Sequence, residues 1–95
     1  MKISDLRDTY IVSACRTAIG EFGGGFKDVR ADDLSVAVAQ EAVKRAGIEK
    51  NWVEDIIWGE CHQQLDQCNT ARVMAMKAGF PKETPGVTIN TDKVF

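Results

Sequence analysis

The sequence predicts an α/β fold of order β-α-β-α-β, a partial layered architecture with helices covering a parallel or mixed sheet. Two observations predict it. Short apolar, β-branched runs alternate along the chain with stretches of helical period, and each helical stretch ends at a glycine.

The first run, Tyr10-Ile11-Val12-Ser13-Ala14-Cys15, is bounded by polar residues and reads as a mostly buried strand. Residues 16–30 follow as a loop in which Gly20, Gly23, Gly24 and Gly25 allow unusual backbone angles. Helix one is expected from Asp33 to Ala46. Asp32 is its expected N-cap, Leu34, Ala37, Val38, Ala42 and Ala46 form its apolar stripe, Lys44 and Arg45 suit the C-terminal dipole, and Gly47 closes it. Residues 53–59 (VEDIIWG) read as a second strand, and residues 69–78 (NTARVMAMKA) as a second helix stopped by Gly79 and Pro81. Residues 86–90 (GVTIN) make the third strand. No linker, repeat or low-complexity stretch interrupts the 95 residues, so they read as one domain, with a core modest in size.

Composition excludes several function classes. The 44% apolar content, the 27% charged content and the net charge of −2 describe an ordinary soluble chain with no basic excess for a phosphate backbone, so nucleic acid is not an expected partner. No apolar run reaches the roughly 20 residues that span a bilayer, and the first ten residues are polar where a signal peptide is apolar. The expected compartment is the cytoplasm, with no membrane association. Three cysteines without framework spacing fit reduced thiols.

In open α/β sheets, functional groups gather beyond the carboxyl ends of strands. Here those places are residues 16–25, residues 61–68 and the stretch after Asn90. Residues 20–25 (GEFGGG) offer small residues that let backbone N–H groups approach an anion, but the helix starts too late for a dinucleotide fingerprint and no Gly-Lys-Ser/Thr follows. A structural loop is the better reading. Cys61, His62 and Cys68 are of zinc-binding type, yet their spacing matches no common zinc pattern and a fourth ligand is not evident, so no metal is expected. Cys15 reads as a small buried residue, and Trp52, Trp58, Met74, Met76 and Phe80 as packing residues spread over several elements. Arg72 sits among Ala71, Val73 and Ala75; it could snorkel, pair across a subunit interface or bind an anion, the first two being favoured.

Five motifs carry a resemblance that residue types alone do not give: YIVSACRTAIGEFGG at residues 10–24, ADDLSVAVAQEAVKRAGI at 31–48, VEDIIWG at 53–59, NTARVMAMKAGFP at 69–81 and TPGVTIN at 84–90. In this order they resemble the opening of the thiolases, the acetyl-CoA acetyltransferase and 3-ketoacyl-CoA thiolase family. The resemblance implies a thiolase-like layered fold, with residues 1–95 a partial N-terminal domain and roughly the first part of its N-terminal half. It also implies the chemistry of the parent enzyme: thiolytic cleavage or Claisen condensation of acyl-CoA thioesters, with coenzyme A thioesters as substrates and no cofactor bound by this chain itself.

In the family the strand ending in Ile-Asn delivers a nucleophilic cysteine three residues past the Asn, at a helix N-terminus that favours a thiolate. Counted from Asn90, that position is Lys93. An amine that accepted an acyl group would form a stable amide and stop turnover. No residue of this chain is therefore expected to be catalytic. The loop ECHQQLDQCN at residues 60–69 also departs from the small-residue loop of the family. The chain is expected to be a fragment, inactive alone, whose partners are the remainder of a thiolase chain or a thiolase-like subunit, in an oligomer. The alternative is a non-catalytic interaction or assembly subunit.

Overall fold

The computed structural model describes residues 6–61, 66 and 68–90. Its elements are α1 (Ala31–Ala46), a 3₁₀ turn at Lys50–Trp52, β1 (Ile56–Glu60), α2 (Thr70–Ala78) and β2 (Gly86–Asn90). Strands β1 and β2 pair in parallel, Ile56 opposite Gly86 through Glu60 opposite Asn90, and α2 is the crossover between them. Both helices pack on each other and α2 packs on the sheet, which gives the expected α/β layering. Among the described residues no helix is long and apolar enough to cross a membrane.

Helix α1 stops where Gly47 adopts φ 69° and its N–H reaches the Lys44 carbonyl at 3.1 Å, a left-handed turn that glycine enters without a Cβ clash. Its start differs from expectation. Arg30 is the N-cap and gives no side-chain cap, while Asp32 lies inside the first turn, fully buried. Its carboxylate accepts from Arg30 Nε at 3.0 Å and from Lys77 Nζ on α2. Two cationic partners outcompete one backbone N–H for a buried carboxylate. The helix is apolar on two sides: Val36, Ala39 and Val43 reach the core, whereas on the expected stripe Val38 is half-buried and Ala37 exposed.

The core is Ile56, Ala71, Met74, Ala75, Ala78 and Phe80, flanked by Val36, Ala39, Val43, Val53 and Trp58. Small residues on α2 set its distance from the sheet. A Cβ added at Gly86 would lie 3.3 Å from the Ala71 Cβ, so helix and strand touch nearly backbone to backbone. Strand β1 begins at Ile56, three residues later than expected, because the ladder opens where Ile56 N–H meets the Pro85 carbonyl at 3.0 Å. Just before it, the Val53 carbonyl is taken by Thr84 Oγ1 at 3.0 Å.

The expected first strand is not formed. Residues 10–15 carry no ladder, and Tyr10, Ile11 and Val12 are exposed. An apolar run becomes a strand only beside a partner edge. This one lies against α1 instead, through Cys15 Sγ to the Val38 carbonyl at 3.3 Å and Arg45 Nη1 to the Ala14 carbonyl at 3.4 Å.

Candidate functional site

The carboxyl ends of β1 and β2 lie side by side, and the N-terminus of α2 holds them there. Asn69 is the N-cap of α2, extended at φ −150°, and uses its whole side chain. Its Oδ1 accepts from Arg72 N–H at 3.4 Å and from Thr88 Oγ1 at 2.6 Å, and its Nδ2 donates to the Gly86 carbonyl at 2.9 Å. Thr88 Oγ1 in turn accepts from Ala71 N–H at 2.9 Å. One amide thus caps the helix, orients a hydroxyl and fixes β2. Arg72 donates from Nη1 to the Thr84 carbonyl at 3.1 Å, tying α2 to the turn that launches β2.

The Asn-x-Ala-Arg spacing therefore has a structural meaning. Asn caps and binds β2, Ala allows the close approach at Gly86, and Arg holds the preceding turn. Asn69, Thr88 and Gly86 were not legible as a unit, since they are joined only by the crossover. The Asn preceding an apolar helical run was the one available signal.

Beyond the strand ends, Glu60 and Asn90 face each other in register. Glu60 is half-buried, and its Oε2 is shielded from solvent without a hydrogen-bond partner among the described residues. A second charged group lies at the far side of α2. Arg30 bridges Asp32 and Asp66, the latter at 2.6 Å, and Lys77 pairs with Asp32 and with Asp33 at 3.4 Å. Hydrogen bonding to Asp66, then to Asp32, holds the Arg30 guanidinium above its usual range. The Lys77 ammonium is held above its usual range by its hydrogen bond to Asp32.

The glycine segment forms successive turns, Gly24 N–H to the Glu21 carbonyl at 2.9 Å and Lys27 N–H to the Gly24 carbonyl at 3.1 Å, with φ 73° at Gly23. The helix it precedes carries Asp32 and Asp33 in its first turn, which opposes an anion at that helix end. Cys15 is half-buried, and Cys61 and Cys68 are exposed. No metal-ligating group of three is found among the described residues, and His62 lies outside them. Lys93 lies outside them too. What the described site does is positional: it fixes β2 beside β1 as far as the pairing of Glu60 with Asn90.

The chain matches the family described as "Thiolase, N-terminal domain" over residues 9–92. An acetyl-CoA acetyltransferase of Clostridioides difficile is 46% identical over 86 residues, 90% of this chain and 79% of that relative. One of Syntrophomonas wolfei is 43% identical over 84 residues, 88% of this chain and 21% of the relative. The chain therefore spans most of one curated relative and about a fifth of the other. Among solved structures, the acetyl-CoA acetyltransferase of Bacillus anthracis superposes with a TM-score of 0.80 at 49% identity, over 84% of this chain and 20% of that one. The Syntrophomonas wolfei structure gives a TM-score of 0.77 at 31% identity over the same shares.

Proposed function

This chain belongs to the thiolase family through its N-terminal domain, and from that premise we propose that it is the N-terminal part of an acyl-CoA acyltransferase, catalysing thiolytic cleavage or Claisen condensation of acyl-CoA thioesters. Its contribution is scaffold. The observation that carries the reading is the clamp of Asn69, Thr88 and Gly86, which fixes β2 beside β1 as far as Asn90, just ahead in sequence of the segment that carries the nucleophile in the family. In the family that segment brings the nucleophile to a helix N-terminus, where N–H groups favour a thiolate.

Here the corresponding position is Lys93, and acyl transfer to an amine would end in an amide rather than an exchangeable thioester. The chain alone is therefore inactive and works with the remainder of a thiolase chain or a thiolase-like subunit, as part of an oligomer in the cytoplasm. Acetyl-CoA is the simplest probe. Incubated with it, the isolated chain keeps its mass and releases no coenzyme A, whereas a complex with a complementing thiolase polypeptide becomes acylated on the partner's cysteine. Turnover by the isolated chain, or a complex that stays unacylated, would reject this reading. The second outcome would favour a non-catalytic assembly subunit, a role that the exposed Ile57, Val87 and Ile89 make physically available.

A further inference from the structure

Arg30 divides one edge of its guanidinium between two carboxylates. Its Nε donates to Asp32 Oδ1 at 3.0 Å, while Nη2, the neighbouring donor on the same edge, reaches Asp66 Oδ2 at 2.6 Å. Such an edge can grip a single carboxylate with two parallel bonds, which is the stronger arrangement. It is not made here. Asp32 Oδ2, the oxygen that would complete it, already accepts from Lys77 Nζ in the last turn of α2.

The two carboxylates differ in what they need. The Asp32 side chain is 0% exposed, so the protein itself has to supply the groups that compensate its charge. Asp66 is 59% exposed, and water solvates it whichever way Arg30 turns. Taking a cation from a buried carboxylate costs far more than giving up an exposed ion pair. Without Lys77, the Arg30 edge therefore closes on both oxygens of Asp32, and Asp66 loses its donor. Asp33, the other acceptor near Lys77, competes weakly at 3.4 Å and 55% exposure.

We infer that Lys77 is a positioning residue that acts on Asp66 at one remove: by occupying Oδ2 of Asp32 it keeps the Arg30 fork from closing on that carboxylate and leaves Nη2 to tether Asp66. Asp66 precedes α2 in sequence, and Arg30 is the N-cap of α1. A side chain at the far end of α2 thus governs whether a residue ahead of that helix is tied to the start of α1. The relay stands independently of the proposed function.

Nuclear magnetic resonance on the isotope-labelled chain tests it, by reading the contact between the Arg30 guanidinium protons and the Asp66 β protons. Urea unfolding gives the cost of Asp66→Asn in each background. In the unaltered chain the contact is expected, and Asp66→Asn should raise the unfolding equilibrium constant about 1.4- to 5-fold, the range of an exposed ion pair. In Lys77→Met the contact is expected to vanish, and the cost of Asp66→Asn to fall below about 1.2-fold, the non-additivity of groups that share a partner. Lys77→Arg, which keeps a charged donor for Oδ2, should retain both. Asp32→Asn leaves the fork no carboxylate to close on and is expected to keep the contact, which provides an answer even where Lys77→Met does not fold. A contact that survives in Lys77→Met, is lost in Asp32→Asn, or is missing from the unaltered chain overturns the inference. A simple effect of charge at a distance would weaken Asp66 in Lys77→Met while leaving the contact in place, and is rejected by its loss.

Discussion

The stretch from residue 6 to residue 30 and the block formed by β1, α2 and β2 are written in the same apolar alphabet, but only the block is packed. Ile11 is 93% exposed, whereas Met74 is 1% exposed. The block closes a ladder and a clamp around Asn69, while residues 10–15 touch α1 through Cys15 Sγ and an arginine contact to Ala14. Side-chain character proposes an element, and a backbone partner decides whether it forms.

The contrast is broken most severely from inside the block. Met74→Ala is expected to cost about 2–5 kcal/mol in urea unfolding, enough to threaten a domain of this size. An unchanged midpoint would mean that the block is no better packed than the rest. Next comes the clamp: Asn69→Ala removes a cap and frees Gly86 and Thr88, with an expected loss of about 1–2 kcal/mol and faster amide exchange along β2.

A pH series sharpens the contrast further. Lys77 has its folded pKa raised above the ordinary 10.5 by Asp32, so its stabilisation is complete below pH 10.5 and is lost as pH rises through the folded value. Lys77→Met should show a shallower decline than the unaltered chain above pH 10.5, measured by thermal melts. An identical slope would mean that the contact does not favour the charged form. The smallest effect is expected outside the block, where Ile11→Ser should shift stability by no more than about 0.5 kcal/mol.

The same contrast explains what was readable in advance. Strand β2, the glycine ends of both helices and the span of α2 follow from local chemistry, which travels with the residues themselves. The strand expected at residues 10–15, the cap expected at Asp32 and the role of Arg72 depend on groups distant in sequence: a ladder edge, Lys77 and the Thr84 carbonyl. The site was half legible for the same reason. The helix was expected to include Asn69, which instead caps it, and the grip of Asn69 on Gly86 and Thr88 exists only after the crossover closes.

That crossover also sets a timetable. Residue 56 has to find residue 86, so β1 leaves the ribosome with its edge unanswered until β2 has been made. At 5–20 residues per second this interval lasts about 2–6 seconds, far longer than helix formation takes. During those seconds Ile56, Ile57 and Trp58 form an apolar edge without a strand partner, the feature that aggregation exploits. Slower synthesis lengthens the time for which that edge stays unpaired.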